Sequence, residues 1–340
     1  MKQRNGYLLK IQNSKFKIQN YNMFWLYIFI FLISCFFLAF SSRWLVDALS
    51  RIAKFLGWKE FVVAFFLMAF GVSVPNFFVG IISALNKIPE LSFGDVVGGN
   101  IVDLSLVVGI AALISKMGLS VPSRTVQGSS IFTIGIAVLP LILISDGVLS
   151  RTDGLLLFLA FFAYISWLFS KRERFTKVYN GIVEPMNSKF FFKNLIKFLI
   201  SIIFLLLAAQ GIVKSATFFA SYLNLPIGLI GILLVGLGNS LPEGFFSIQA
   251  ARKGQDWLVL GDLMGGVVIT ATLVLGIVAL ICPIQIRDFS PFVIARIFLI
   301  ISAIFFLIIV RTGKKITKKE AIILIAIYLL FLSTEIFFRG

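Results

Sequence analysis

The chain contains no histidine, two cysteines and only fifteen acidic residues among its 340 positions. Without histidine, neither a Ser-His dyad nor an HExxH zinc site can be built. Cys35 and Cys282 lie in or beside apolar runs and define no disulfide framework. The sequence also contains no G-x-x-x-x-G-K-[ST] loop, so ATP hydrolysis is not expected as an energy source.

Hydrophobic residues, in contrast, make up 59% of the chain, and the mean hydropathy is +1.01. A soluble protein cannot bury that much apolar surface, so we expect the bilayer to be most of its solvent. The runs have the length of spanning helices and lack the alternation of an outer-membrane barrel. We therefore predict an all-α membrane protein with ten transmembrane helices, at 23–43, 60–85, 91–115, 128–147, 153–170, 192–214, 226–251, 258–281, 290–310 and 320–338.

The first of these runs could instead be a signal peptide, because Lys15 and Lys17 precede it. Its length and the lack of a clean small-residue cleavage site favour a retained span. The formal charge of +16 does not indicate nucleic-acid binding, since the basic residues lie in loops and serve topology. If the N-terminus is outside, most of these basic residues lie in cytoplasmic loops. The positive-inside rule therefore predicts that both termini are outside. The basic tail 1–22 favours the opposite orientation.

The two halves of the chain are related by an internal repeat. Positions 71–114 align with 238–281 without a gap. Each copy has one glycine–proline motif, beginning at Gly71 or Gly238, and one Gly-Asp pair, at 94–95 or 261–262. Five crossings separate the copies, so the second copy enters the membrane from the opposite side. This inverted arrangement is typical of secondary transporters. It predicts a tail (1–22), a first repeat (23–170), a cytoplasmic linker (171–191) and a second repeat (192–340).

Four acidic residues, Asp95, Asp103, Glu243 and Asp262, lie within predicted spans whose cores hold no lysine or arginine. An ionisable group at such depth marks a functional site, and a cation from outside is its natural partner. Helical spacing organises the polar residues into one stripe on each of four spans. The stripes are Val72–Ser73–Asn76, Asp95–Gly99–Asp103, Asn239–Ser240–Glu243 and Asp262–Gly266–Thr270.

Pro75 and Pro242 occupy the middle of apolar runs, where each removes a backbone donor and is expected to break its helix. The carbonyls of Gly71 and Gly238 would then be available to water or an ion. Carbonyl, hydroxyl, amide and carboxylate oxygens favour a hard cation such as Ca²⁺ or Na⁺.

Simpler explanations of these features remain open. The proline and glycine motifs could produce only a kink and close packing. A buried aspartate could be protonated and structural, and Asp95 and Asp262 could simply hydrogen-bond to the neighbouring broken helix.

At these residues the sequence resembles the sodium/calcium exchanger family of the calcium:cation antiporter superfamily. The family repeat reads approximately G-T-S-L-P-E and, about 18 residues later, G-N-x-x-G-S-N-x-x-[ND]. This chain has GVSVPN with GDVVGGNIVD, and GNSLPE with GDLMGGVVIT. The resemblance implies ten helices in two inverted halves and a cation site on spans 2, 3, 7 and 8. The ligands it implies are Ser73, Asn76, Asp103, Ser240, Glu243 and Thr270, with carbonyls near Ala69 and Gly236.

The chain departs from the family pattern at several of these positions. Asn76 replaces a glutamate, Asp103 restores one charge from the adjacent span, and Thr270 is neutral. Asp95 and Asp262 replace the usual asparagines, and if they titrate, protons could be the coupling ion. Asp103 and Glu243 together carry −2, so a stoichiometry of three Na⁺ per Ca²⁺ is not expected. The full set of candidate metal ligands is Ser73, Asn76, Asp95, Asp103, Asn239, Ser240, Glu243, Asp262 and Thr270.

The sequence thus predicts a secondary active antiporter that exchanges Ca²⁺ for Na⁺ or H⁺ and is not an enzyme. Alternatives are a monovalent cation/H⁺ antiporter, a degenerate membrane protein that transports nothing, and an intramembrane enzyme with a Ser-Lys or aspartyl mechanism. We expect a multi-pass protein of the cell membrane without a cofactor. Its expected partners are the lipid bilayer and inorganic cations but no nucleic acid, and the expected state is a monomer.

Overall fold

The computed structural model describes residues 2–55, 71–121, 124–170, 188–286, 288–313 and 315–338. Helices account for almost all of these residues, as the apolar runs predict. Helices α1 to α10 are Lys2–Phe55, Gly71–Leu85, Pro89–Ile114, Arg124–Leu143, Arg151–Ser170, Ser188–Leu223, Ile227–Arg252, Asp256–Ile269 (α8, continued through Leu275–Ile281), Ser290–Thr312 and Lys318–Phe337.

Nine helices in the described ranges are long and apolar enough to cross a bilayer. The predicted class, an all-α membrane protein, is therefore confirmed. The shorter apolar helix α2 begins at Gly71, and residues 60–70 of the predicted second span lie outside the described residues, as does Ala69. The count of ten and the inversion of the halves stay predictions, and most of the linker 171–191 is also outside the described residues.

Helix α1 is much longer than the predicted first span. It begins at Lys2 and includes the predicted tail, although only Asn22–Leu49 has the composition of a membrane span. Helix α6 also exceeds the predicted span 192–214 at both ends. Hydropathy locates the membrane-embedded part of a helix, whereas a polar segment can continue the same helix into solvent.

The buried apolar side chains form two clusters. One lies between α1 and α6 and includes faces of α2 and α7. The other occupies the interior of the remaining bundle, where α3 and α8 have the most buried spans. Gly238 of α7 lets Phe31 and Cys35 of α1 pack closely, because a Cβ atom there would lie only 3.0 Å from the Phe31 ring and 3.2 Å from the Cys35 sulfur. The α1–α6 pair thus packs against one of the helices that carry the polar stripes.

Two short antiparallel ribbons connect the halves. Strand β1 (Leu119–Ser120) pairs with β4 (Lys315–Ile316), and β2 (Val148–Leu149) pairs with β3 (Ile284–Gln285). The described chain between β1 and β4 contains six helices, and that between β2 and β3 contains four. An even number of crossings returns the chain to the same face of the membrane, so each ribbon joins loops that belong on one side. This parity agrees with the predicted topology.

Candidate cation site

The helices that carry the two proline motifs are not broken at the prolines. Helix α2 continues through Pro75 and α7 continues through Pro242, so the predicted breaks are wrong. A proline in a membrane helix is tolerated where neighbouring groups and local changes of hydrogen bonding compensate for the lost donor. The irregular backbone lies elsewhere in the same group of helices.

Among the described residues, three π-helical segments interrupt the helices of the site: Val102–Val107 in α3, Gly231–Val235 in α7 and Thr270–Val274 in α8. Segments of this kind are rare and occur frequently at functional sites. Those in α3 and α8 occupy equivalent positions of the two repeats, and Asp103 and Thr270 lie at their starts. The duplicated feature of the site is therefore the π turn that presents these two side chains.

Ser105 and Thr272 accompany these π turns and were not identified from the sequence. The Ser105 hydroxyl donates to the carbonyl of Ile101, and the Thr272 hydroxyl donates to that of Val268 at 2.5 Å. Each bond supplies a donor to a carbonyl where the α-helical pattern changes. Ser105 and Thr272 occupy equivalent positions of the two repeats and both carry a hydroxyl group, which could have identified them from the sequence.

Glycines bring α3 and α7 into backbone contact. A Cβ atom at Gly94 or Gly98 would lie 2.1 Å from the carbonyl oxygen of Gly228 or Ile232, respectively, so no larger residue fits without displacing the backbone. This is the small-residue packing that membrane helices use to approach closely. It places the polar stripes of the two helices side by side.

Asp103 and Glu243 form the centre of the polar cluster. They are 3% and 1% exposed, and the carboxyl group of Asp103 lies near that of Glu243 and near the Ser240 hydroxyl. Glu243 also lies within electrostatic range of Asp95 and Asp262. The structure thus assembles, from α3, α7 and α8, the four carboxyl groups that the sequence places at depth.

The remaining two carboxyl groups have unequal surroundings. The Asn239 amide nitrogen lies 3.0 Å from each carboxylate oxygen of Asp95, so Asp95 does hydrogen-bond to the neighbouring helix. Asp262 is buried, and neither of its oxygens has a hydrogen-bond partner among the described residues. Whether either residue binds an ion stays a prediction.

Thr270 is held by a residue that sequence reasoning missed. Its hydroxyl lies 2.9 Å from Oδ1 of Asn100 and 3.0 Å from the carbonyl of Gly266, and it can donate to one of them at a time. Its lone pairs remain available as a neutral ligand. Asn100 belongs to the stretch GDVVGGNIVD and matches the second asparagine of the family pattern. That match could have identified it as a candidate site residue.

Ser73 and Asn76 are buried on α2, which packs against α3, α7 and α8. Predicted ligands therefore lie on all four of these packed helices, and their role stays a prediction. Several of its buried oxygens lack a hydrogen-bond partner within the described part of the chain. They are Ser73 Oγ, Asn76 Oδ1, Asp103 Oδ1, Asn239 Oδ1, both Glu243 oxygens and both Asp262 oxygens.

A buried polar atom without a partner is costly, and an unpaired carboxylate is the most costly kind. The described parts of α2, α3 and α8 contain no lysine or arginine, and α7 has only Arg252 at its end. No group of three or more acidic, histidine or cysteine side chains in the described chain could hold a metal ion by itself. A cation here would be bound by the Asp103–Glu243 pair together with neutral oxygens.

These features define a polytopic membrane protein with a buried cluster of oxygen ligands in its interior. A family model described as "Sodium/calcium exchanger protein" matches residues 26–170 and 193–337. The chain belongs to this family.

Known relatives extend over nearly the whole chain. The sodium/calcium exchanger MaX1 of Methanosarcina acetivorans is 28% identical, over 89% of this chain and 96% of its own length. The inner membrane protein YrbG of Escherichia coli is 26% identical, over 86% and 92%. A solved structure of the sodium-calcium exchanger NCX_Mj, soaked with 2.5 mM Na⁺ and 0.1 mM Sr²⁺, superposes with a TM-score of 0.61 at 25% identity. The superposition covers 91% of this chain and 99% of that one.

Proposed function

We propose that this protein is a secondary active cation antiporter that exchanges Ca²⁺ for Na⁺ or H⁺ through the cluster around Asp103 and Glu243. The observation that carries the proposal is the set of buried oxygens on α2, α3, α7 and α8 that have no hydrogen-bond partner among the residues that the structure describes. Membership of the sodium/calcium exchanger family and the exchanger names of MaX1 and NCX_Mj support the same function. The proposal makes the protein a transporter and not an enzyme.

The charge of the cluster suits this cargo. Asp103 and Glu243 together can neutralise one Ca²⁺ or two Na⁺ ions, and serine, asparagine and threonine oxygens can complete the shell. Calcium accepts six to eight oxygen ligands in flexible geometry, so a mixed set of charged and neutral oxygens fits it. Asn76 supplies a neutral amide where the family pattern has glutamate. Divalent cations therefore bind more weakly here than they would at a site with glutamate at position 76 beside Asp103 and Glu243.

A monovalent cation/H⁺ exchange is the second candidate, and Asp262 favours it. This carboxyl group is buried near Glu243 without a hydrogen-bond donor in the described chain. A group in that position favours binding a proton or a small cation over staying ionised and unpaired. We further propose that both termini face the outside and that the protein acts as a monomer.

Transport into proteoliposomes separates these functions. Purified protein is reconstituted with Na⁺ inside, and uptake of radioactive calcium is measured under an outward Na⁺ gradient, under a pH gradient and without a gradient. The proposal predicts uptake driven by one of the two gradients and none in the Glu243→Gln variant.

Cation flux that is driven by pH but excludes calcium would favour the second candidate. Absence of flux under every gradient, with no cation-dependent thermal shift of the protein, would contradict both and favour a degenerate membrane protein.

A further inference from the structure

A cavity of about 150 Å³ lies between α3 and α7, beside the cation site. Its wall consists of apolar side chains and a glycine of the two helices, and the hydroxyl-bearing residue among them is Ser240. Ser240 also interacts with Asp103, so one residue belongs to both the cavity and the site. The apolar wall includes Val102, Leu106 and Ile110 of α3 and Leu241, Gly244 and Ile248 of α7.

The cavity adjoins a surface that faces the bilayer. Leu241 and Phe245, which belong to its lining, are 49% and 60% exposed, and both lie in the span Ile227–Arg252. Large apolar side chains exposed along a membrane span contact acyl chains and not water. Lipid tails are therefore the molecules with direct access to this space.

The size and chemistry of the cavity favour an apolar occupant over water. A buried water needs two to four polar partners, whereas apolar cavities of about 150 Å³ stay dry and take up benzene-sized molecules. One polar lining residue, Ser240, cannot hold a group of ordered waters. Several methylene groups of an acyl chain would fill the space and regain the dispersion contacts of the wall.

We propose that the cavity binds a lipid acyl chain, which enters between Leu241 and Phe245 and lies against Ser240. An acyl chain in this position excludes water from one side of Ser240. It thereby strengthens the attraction between the Asp103–Glu243 pair and a bound cation. The bilayer then acts as a ligand of the site. This consequence rests on the proposed function, whereas the binding itself does not.

Photo-crosslinking tests the binding. The protein is reconstituted in phosphatidylcholine that carries a diazirine within one acyl chain, irradiated without any ion gradient, and mapped by peptide mass spectrometry. We expect labelling of Leu106 and Ile110, which line the cavity, as well as of exposed residues elsewhere on the spans such as Leu330. Labelling at Leu330 without labelling at Leu106 or Ile110 would overturn the proposal.

A substitution that fills the cavity provides the matched control for the crosslinking experiment. A Cβ atom at Gly244 meets its nearest neighbour, Val107 Cγ2, at an ordinary 3.8 Å, so Gly244→Leu can extend into the space. We expect labelling of Leu106 and Ile110 to fall at least about fivefold while Leu330 is unchanged. Ile110→Phe fills the same space from α3 and serves if Gly244→Leu does not fold.

Unchanged labelling of Leu106 in a folded filling variant would contradict the proposal. The assay needs no transport, so its failure is distinguishable from failure of the antiport function.

Discussion

The side-chain amide of Asn239 donates to both carboxylate oxygens of Asp95, at 3.0 Å each, across the contact between the two repeats. In the repeat alignment, Asp262 corresponds to Asp95 and Val72 corresponds to Asn239. The valine side chain has no hydrogen-bond donor. Both repeats therefore have the aspartate, but only the second repeat has an asparagine at the position of the donor. The two halves of the site are unequal in their hydrogen bonding as well as in their charge.

Removing the donor should destabilise the protein. Asn239→Val places in the second repeat the residue found at the same position of the first, and it leaves Asp95 buried without its partner. We expect a loss of about 1–3 kcal/mol in the free energy of unfolding, the usual penalty for a buried polar group left unsatisfied. Thermal unfolding in detergent measures it. Combining the change with Asp95→Ala should cost less than the sum of the two single variants, and simple additivity would show that the pair does not interact.

Glu243→Gln should abolish transport with little loss of folding. The substitution keeps the shape of the side chain but removes one of the two central charges, so the cation loses its principal ligand while the fully buried position becomes easier to desolvate. Vesicle flux and thermal unfolding measure the two effects. Glu90→Gln makes the same chemical change in the first turn of α3 and should leave flux intact. Exchange at the unmodified rate in Glu243→Gln would show that the site is assigned wrongly.

Asp103→Asn should weaken calcium binding more than sodium binding. The substitution reduces the central charge from −2 to −1, which still neutralises one Na⁺ but leaves Ca²⁺ half compensated. We expect at least a tenfold loss of calcium affinity, equivalent to about 1.4 kcal/mol. Isothermal titration of detergent-solubilised protein with each ion measures it. An equal loss for both ions would mean that Asp103 acts through folding and not through charge.

Asn76→Glu should restore divalent preference in a pH-dependent way. The added carboxyl brings the central charge to −3 when ionised, so calcium binds more tightly. Repulsion from the neighbouring carboxylates favours a proton on one of them as the pH falls, and that proton competes with calcium. Calcium titrations should therefore show a gain in affinity at pH 9 that fades towards pH 6. Affinity that does not vary across this range would count against Asn76 as a ligand position.

The inverted repeat makes a topological prediction. After Cys35 and Cys282 are replaced by serine, a cysteine at Met117 or Gly181 should react with an impermeant reagent only once the cell is opened. A cysteine at Leu223, the exposed last residue of α6, should react from outside. The neighbouring Asn224 has a φ of 54°, a conformation that asparagine tolerates better than cysteine, so Leu223 is the sounder position. Labelling of Gly181→Cys and Leu223→Cys from one side would contradict the inversion.

The prediction of broken helices shows where sequence reasoning reached its limit. Helices α2 and α7 continue through Pro75 and Pro242, and the irregular turns begin instead at Val102, Gly231 and Thr270. A π turn depends on one additional residue being accommodated by packing against other helices. No residue type specifies it locally as proline specifies the loss of a donor.

The sequence by itself determined the class of protein, the positions of most spans, the duplication, and the depth of Asp95, Asp103, Glu243 and Asp262. These follow from hydropathy and periodicity, which are properties of each segment alone. The partners of the polar groups were decided only by the tertiary structure. Asn239 meets Asp95, and Asn100 meets Thr270, because glycines let α3 approach α7 and because α8 packs in the same bundle. Such contacts depend on distances between helices that are far apart in the chain, and a single sequence does not contain those distances.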